Sequence, residues 1–265
     1  MNEGSPVTGL EQLRALAFEK VRAKSPPRLA LAPAHDLQVL KGVCLACREG
    51  LIDQVLIGPA EEIRKNQAAL GLESCSCNIV DIPDAREAVL HAARMAVSGE
   101  VSILIPGNIT DICNVPDTFR VLLGAESGFR RPGDFLSLVG VIEHESYEGL
   151  LLVSDVGLVP DPTVEQGIRI IKNAVQVARL LGKKTVRVAI LAYEDKPTPT
   201  SPTTIAESII AEFFAREDDP TVIVEGPMRL DGALEEEAIP KKPRGGVEPG
   251  RADILIANNI HVGNS

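Results

Sequence analysis

The sequence predicts an α/β protein of two lobes on mostly parallel sheets. Short β-rich apolar runs alternate with segments of helical spacing along most of its 265 residues. Near residues 135–154 the alternation breaks, because two apolar runs follow each other with no room for a helix between them. The composition, 45% hydrophobic and 24% charged, is that of a chain that buries a core.

Taken in order, residues 1–27 read as an N-terminal segment. Strands follow at 28–32, 54–58, 78–82 and 101–106, separated by helical patterns at 36–49, 60–70 and 84–98. The last pattern sets Ala85, Ala88, Val89, Ala92 and Ala96 on one face. This order predicts a parallel sheet with helices on both sides, a first lobe over 28–134. The second lobe, 135–265, opens with apolar runs at 135–142 and 150–154. The polar stretch from His144 to Gly149 between them predicts an antiparallel hairpin. The clearest helix comes next. Asp161 is placed to cap it, Pro162 to stand in its first turn and Gly182 to end it, with Val164, Ile168, Ile171, Val175 and Ala178 as its stripe. The remainder reads as a strand at 185–192, a helix at 203–216 and a strand at 221–225. A short helix at 231–238, a loop at 241–250 and a strand at 252–257 complete it.

The charge balance is 27 Lys+Arg against 37 Asp+Glu, a net of -10. Nucleic acid and anionic membranes need a positive field, so neither is expected as a partner. No apolar run reaches the roughly 18 residues of a membrane span, and no apolar run follows the polar start as in a secretory signal. Cys44 and Cys47 form a CxxC inside an apolar helical pattern, which reads as buried thiols rather than a redox pair. Cys75 and Cys77 have no His pair nearby at zinc spacing, so no metal site is expected. A reduced, cytoplasmic protein is the simplest expectation.

The common nucleotide and hydrolase motifs (GxGxxG, the P-loop, HExxH, GxSxG) are absent. The four histidines are scattered; His91 falls on a helix, and His35-Asp36 closes a strand. More informative are four polar strand ends: Pro106-Gly107-Asn108, Ser154-Asp155, Gly226-Pro227 and Asn258-Asn259. Parallel strands bring such ends to one rim, where ligands bind. Each alone is also what a turn requires. Arg120, Arg130 and Arg131 stand out in an acidic chain; a guanidinium fork suits phosphate, and a solvated basic turn is the other reading.

The run from Ser154-Asp155 through Pro160-Asp161-Pro162-Thr163-Val164-Glu165-Gln166 resembles a segment of phosphate acetyltransferases and phosphate butyryltransferases. Gly226-Pro227-Met228-Arg229-Leu230-Asp231-Gly232-Ala233 resembles a second motif of that family. Ala252-Asp253-Ile254-Leu255-Ile256, with Gly263-Asn264, resembles a third. The strand at 186–192 and the start at 36–58 are similar as well. The resemblance implies an isocitrate/isopropylmalate dehydrogenase-like fold of two lobes with a cleft between them, and a homodimer. It implies reversible acyl transfer between acyl-CoA and inorganic phosphate, of acetyl or butyryl type, with coenzyme A as substrate and no bound cofactor.

The resemblance also suggests roles. Arg120 is the best match to a phosphate or CoA-phosphate ligand. Gly107, Asp155, Gly226 and Asn264 join it as substrate-binding candidates, with Asp155 facing the cleft. Asn259 and His261 stand where catalytic groups are sought, His261 as the stand-in base. Three departures accompany it. Pro106-Gly107 stands where the butyryl branch has Lys-Gly, and Asn258-Asn259 where the family has Pro-Asp. The sequence given ends at Ser265, ahead of the family's Ser-Arg and following Asp. Activity far below the family norm is therefore one expectation, and a non-catalytic CoA- or acyl-phosphate-binding or regulatory protein the alternative. A dehydrogenase relative on the same fold is the weakest, for want of clustered Asp and His that could hold a metal.

Overall fold

The structure, a computed structural model, describes residues 6–72, 78–107, 118–235 and 251–264. Asn108, Cys75, Cys77 and the 241–250 loop lie outside the described residues. Two compact units are formed, one of residues 14–134 and one of residues 1–13 with 135–265.

In the unit of residues 14–134, β1 (Arg28–Ala32), β2 (Asp53–Gly58), β3 (Asn78–Asp81) and β4 (Ile103–Pro106) form a parallel sheet in the order β3-β2-β1-β4. The two inner strands are buried on both faces, which is why each reads as an unbroken apolar run. Strand period two divides them. Leu29, Leu31 and Leu56 pack with Leu40, Val43 and Cys44 of α2 (Leu37–Arg48) and Ile63 of α3 (Ala60–Ala69). Ala30, Ala32, Val55 and Ile57 face Ala88, Ala92 and Met95 of α4 (Ala85–Val97). Asp36 caps α2 by accepting from the N–H groups of Gln38 and Val39, and Asp84 caps α4 through Glu87 N. Cys44 is buried and Cys47 half-buried on α2. Three helices were not expected from the sequence, the short α9 (Ile260–Asn264) at the chain's end among them. The first is α1 (Leu10–Ala23), which buries no residue completely and so carries a weak stripe. The second is the six-residue α5 (Thr118–Leu123), whose Val121 and Leu122 pack on Val89, Leu90 and Ala93 of α4.

The other unit carries a five-stranded sheet in the order β5-β6-β9-β7-β8. Its members are β5 (Val139–His144), β6 (Tyr147–Ser154), β7 (Val186–Leu191), β8 (Val222–Met228) and β9 (Ile254–Ile256). β5 and β6 form the expected antiparallel hairpin, and every other pairing is parallel. α6 (Val164–Leu180) and α7 (Pro202–Ala215) pack into the same apolar cluster as Leu150, Leu152, Val188, Ile190 and Ile254. α8 (Leu230–Leu234) and α9 (Ile260–Asn264) complete the unit. The chain's first described residues belong here: Val7 sits in the core and donates its N–H to Leu181 O at 2.8 Å.

Two expectations are corrected. α6 is capped by Thr163, not Asp161. Thr163 Oγ1 accepts from Gln166 N and Gln166 Oε1 accepts from Thr163 N, a reciprocal capping box that leaves Asp161 and Pro162 ahead of the cap. The other end is as expected. Gly182, at φ +90°, donates to Arg179 O, and Lys183 N to Ala178 O, the paired bonds of a Schellman stop. β8 does not end before Gly226 but runs on to Met228. Gly226 is needed within it, because a Cβ there would lie 2.7 Å from Ile190 Cβ.

Candidate functional site

In a parallel sheet the carboxyl ends of the strands form the rim that holds ligands. In the second unit that rim is tied together by backbone. β6 ends at Ser154, whose Oγ donates to Leu138 O at 2.9 Å. Asp155 follows, 3% exposed. Its Oδ1 accepts from Gly157 N at 2.6 Å and Leu158 N at 2.7 Å, and its Oδ2 from Leu138 N at 3.0 Å. Oδ1 is thus engaged by the loop that Asp155 begins and Oδ2 by Leu138 ahead of β5, and the carboxylate faces backbone amides rather than an open surface. Ala257 N donates to Ser154 O, and Ile260 N to Pro160 O, so the exit of β9 is bound to the same loop. Gly263 brings α9 against it: a Cβ at that position would lie 2.4 Å from Asp155 O.

On this framework stand the two asparagines and the histidine. Asn258 and Asn259 are half-buried and His261 is exposed. Asn259 Nδ2 donates to Asn258 Oδ1 at 3.0 Å, and Asn259 Oδ1 accepts from Val262 N at 3.1 Å, which starts α9. Asn264 closes that helix, its side chain outside the described set. Asp155, Asn259, His261 and the Gly263-Asn264 pair therefore come together at the exits of β6 and β9. Gly226 lies apart, inside β8.

Sequence reasoning missed Glu207. It sits on the inner face of α7 with Thr204, Ile210 and Phe214, and it is 3% exposed. Neither carboxylate oxygen has a hydrogen-bond partner of good geometry. Burial pushes the group up to about 7, and the side chain of Asn258 pulls it partly back by favouring the charged form. The signal was present in the sequence: an acid on the 204–207–210–214 stripe that the helix turns inward.

The remaining candidates belong to the unit of residues 14–134. Gly107 is buried, donates to Ala32 O at 2.9 Å, and would place a Cβ 1.9 Å from Pro33 O. Only glycine lets the exits of β1 and β4 approach so closely. Arg120 is exposed on α5, on the side away from Val121 and Leu122. His35 lends its carbonyl to Asn66 Nδ2 at 2.7 Å, while its Nδ1 is buried without a partner. Among the described residues no group of three or more His, Cys, Asp or Glu could hold a metal ion. Grooves exist at the turn from α7 into β8, lined by Phe214, Asp219 and Val222. They open at the amino end of β8, opposite the edge where this architecture places chemistry.

Fold and rim together define an α/β scaffold with its candidate site at the strand exits. The phosphate acetyl/butaryl transferase family model matches residues 84–265. The chain is 31% identical to the phosphate butyryltransferase of Clostridium acetobutylicum over 245 residues, 92% of this chain and 80% of that protein. It is 33% identical to the phosphate acetyltransferase of Thermotoga maritima over 246 residues, 93% and 81%. The chain belongs to the phosphate acetyl/butyryl transferase family. Its structure is similar to that of a phosphotransacetylase from Streptococcus pyogenes, with a TM-score of 0.75 at 19% identity, covering 97% and 84% of the two chains. A branched-chain phosphotransacylase from Enterococcus faecalis gives 0.72 at 24% identity, covering 90% and 81%. A 4-hydroxythreonine-4-phosphate dehydrogenase from Salmonella typhimurium, TM-score 0.53 at 13% identity over 90% and 83%, shares the fold, which agrees with the dehydrogenase-like architecture.

Proposed function

We propose that the chain transfers an acyl group reversibly between coenzyme A and inorganic phosphate. Family membership over residues 84–265 carries this reading. In the direction toward acyl-CoA, the CoA sulfur attacks the acyl-phosphate carbonyl. A C–S bond forms, the C–O bond to phosphate breaks, and the thiol proton passes to a base. A free thiol has a pKa of about 8.5, so a base nearby raises the reactive fraction. His261, exposed on α9, is of the residue type that accepts such a proton. Asn259 is of the type that donates a hydrogen bond to the developing oxyanion. Arg120 offers an exposed guanidinium for phosphate, of inorganic phosphate or of CoA. Asp155, both oxygens engaged by backbone amides, positions that rim rather than touching substrate.

The reading extends to a cytoplasmic homodimer. Ile205, Ile209 and Phe213 lie exposed along the outer face of α7, and β8 is an edge strand of its sheet. An apolar helix face beside an open edge suits a second copy of the chain. Among the described residues no helix is long and apolar enough to cross a membrane.

A thiol-release assay tests the activity: acetyl-, propionyl- and butyryl-CoA, each with and without phosphate. Phosphate-dependent release is expected, and Arg120→Ala should weaken substrate binding by roughly 1.5–3 kcal/mol. Binding of CoA without any release would favour the alternative, a CoA-binding protein that does not turn over. No binding and no release would refute both.

A further inference from the structure

An acyl group has two parts with opposite needs, and the acyl-transfer scheme provides for only one of them. Its carbonyl oxygen takes a hydrogen bond, whereas the alkyl chain on the same carbon needs an apolar wall. We propose that Leu138 is that wall, a specificity-determining residue that favours propionyl and butyryl groups over acetyl. The identity of the ligand rests on the acyl-transfer reading; the choice of residue rests on the geometry of the β6–β9 rim.

Leu138 stands just ahead of β5 and is held on both sides of its backbone. Its N–H donates to Asp155 Oδ2 at 3.0 Å, and its carbonyl accepts from Ser154 Oγ at 2.9 Å. The residues before it are fixed by α6. Asn173 Nδ2 donates to Ser137 Oγ at 2.9 Å and to Phe135 O at 3.4 Å, and Arg169 lies over the Phe135 ring. A lone exposed leucine needs no explanation. This one is pinned to the two residues that close β6, yet it stays 39% exposed. It rests on Gly157, where a Cβ would lie 3.2 Å from Leu138 Cδ2.

Its neighbours on the rim are apolar too. Val156 is half-buried in the same loop, its Cα 3.1 Å from where a Cβ at Gly263 would stand. Val262 is 43% exposed and gives its N–H to Asn259 Oδ1 at 3.1 Å. The polar side chains between them are already engaged. Ser154 is bonded to Leu138, Asp155 to three amides, and Asn259 to Asn258 and Val262. An alkyl chain leaving a carbonyl held at Asn259 therefore meets apolar surface without stranding a polar group. Acetyl offers that surface a single methyl, and each further methylene covers more of Leu138. Because the backbone of Leu138 is already fixed, little ordering accompanies the contact.

The test compares kcat/KM for acetyl-, propionyl- and butyryl-CoA in the thiol-release assay, with phosphate, on the full chain. Leu138→Ala should lower the butyryl-to-acetyl ratio by about tenfold, the low end of what one methylene contact commands. Leu138→Met keeps the apolar bulk and should hold most of the ratio. Gly157→Ala sets a Cβ against Leu138 Cδ2 and should lower the same ratio. Leu180→Ala, on a side chain 86% exposed at the end of α6, should leave it unchanged. An unchanged ratio in Leu138→Ala, an equal fall for all three acyl groups, or a rise for butyryl would each overturn the proposal. If no thioester is turned over, the acyl-transfer reading fails and calorimetry decides this one. Butyryl-CoA should then bind several-fold more tightly than acetyl-CoA, a difference that Leu138→Ala removes. Binding without that difference, or no binding of either thioester, would overturn it.

Discussion

Asp155 and Glu207 are two carboxyl groups of one unit, each 3% exposed, in opposite circumstances. Asp155 receives three backbone N–H groups from residues on both sides of it in sequence. Glu207 receives none of good geometry. Burial is therefore a poor guide to what an acid does. The partners decide: a satisfied carboxylate is a brace for the chain, whereas an unsatisfied one is left with chemistry to perform.

The largest effect should come from removing the brace. Asp155→Ala orphans three amide donors in a closed loop and should destabilise the protein by on the order of 3 kcal/mol, read by chemical denaturation. Loss below about 1 kcal/mol would show that water reaches those amides. Gly263→Ala attacks the same brace from α9, where the new Cβ meets Asp155 O. It should cost about 1–3 kcal/mol and lower turnover, while Gly232→Ala, with Met228 Cγ at 3.7 Å, should be tolerated.

Glu207 should respond in the opposite sense. Its folded-state pKa is raised, so the folded protein holds the proton more tightly than the unfolded chain. Its contribution is fully present below the ordinary Glu value of 4.5 and is lost as pH rises through about 7. Glu207→Gln should therefore be close to neutral at about pH 4–5 and stabilising by on the order of 1–2 kcal/mol at about pH 8. Denaturation curves of the two proteins that stay parallel across that window would place water around the carboxyl. The smallest contrast sits at the head of α6. Thr163→Ala should cost about 0.5–2 kcal/mol, and Asp161→Ala should leave stability within about 0.5 kcal/mol.

The contrast between Asp155 and Glu207 also marks how far the sequence could be read. β1 was legible as an unbroken apolar run, and helices such as α4 and α6 by the period that one-sided burial imposes. α1 was not, since it packs no residue completely. Pro162 drew the helix cap two residues early; the Thr-x-x-Gln box that decides it is a local pattern, present at 163–166. The glycines at 107, 226 and 263 were legible as motif residues but not for their reason, which is a backbone or side chain from a distant strand or loop. Asp155 was located at its strand end, while its three partners depend on how the loop folds back. Glu207 was hard to read because an acid in a helix is ordinarily solvated and α7 carries apolar residues on both faces, so its stripe does not by itself say which face turns inward.

The bond from Val7 to Leu181 has a temporal meaning. The unit it closes is discontinuous in the chain, with residues 14–134 forming the other unit between its two parts. During synthesis at roughly 5–20 residues per second, Val7 leaves the ribosome on the order of ten seconds or more before its acceptor exists. The unit of residues 14–134 has all its strands by then and is free to fold first. The second unit closes late, on a partner that has waited since the beginning of translation. Long-range closure of this kind slows folding relative to the local contacts within its helices.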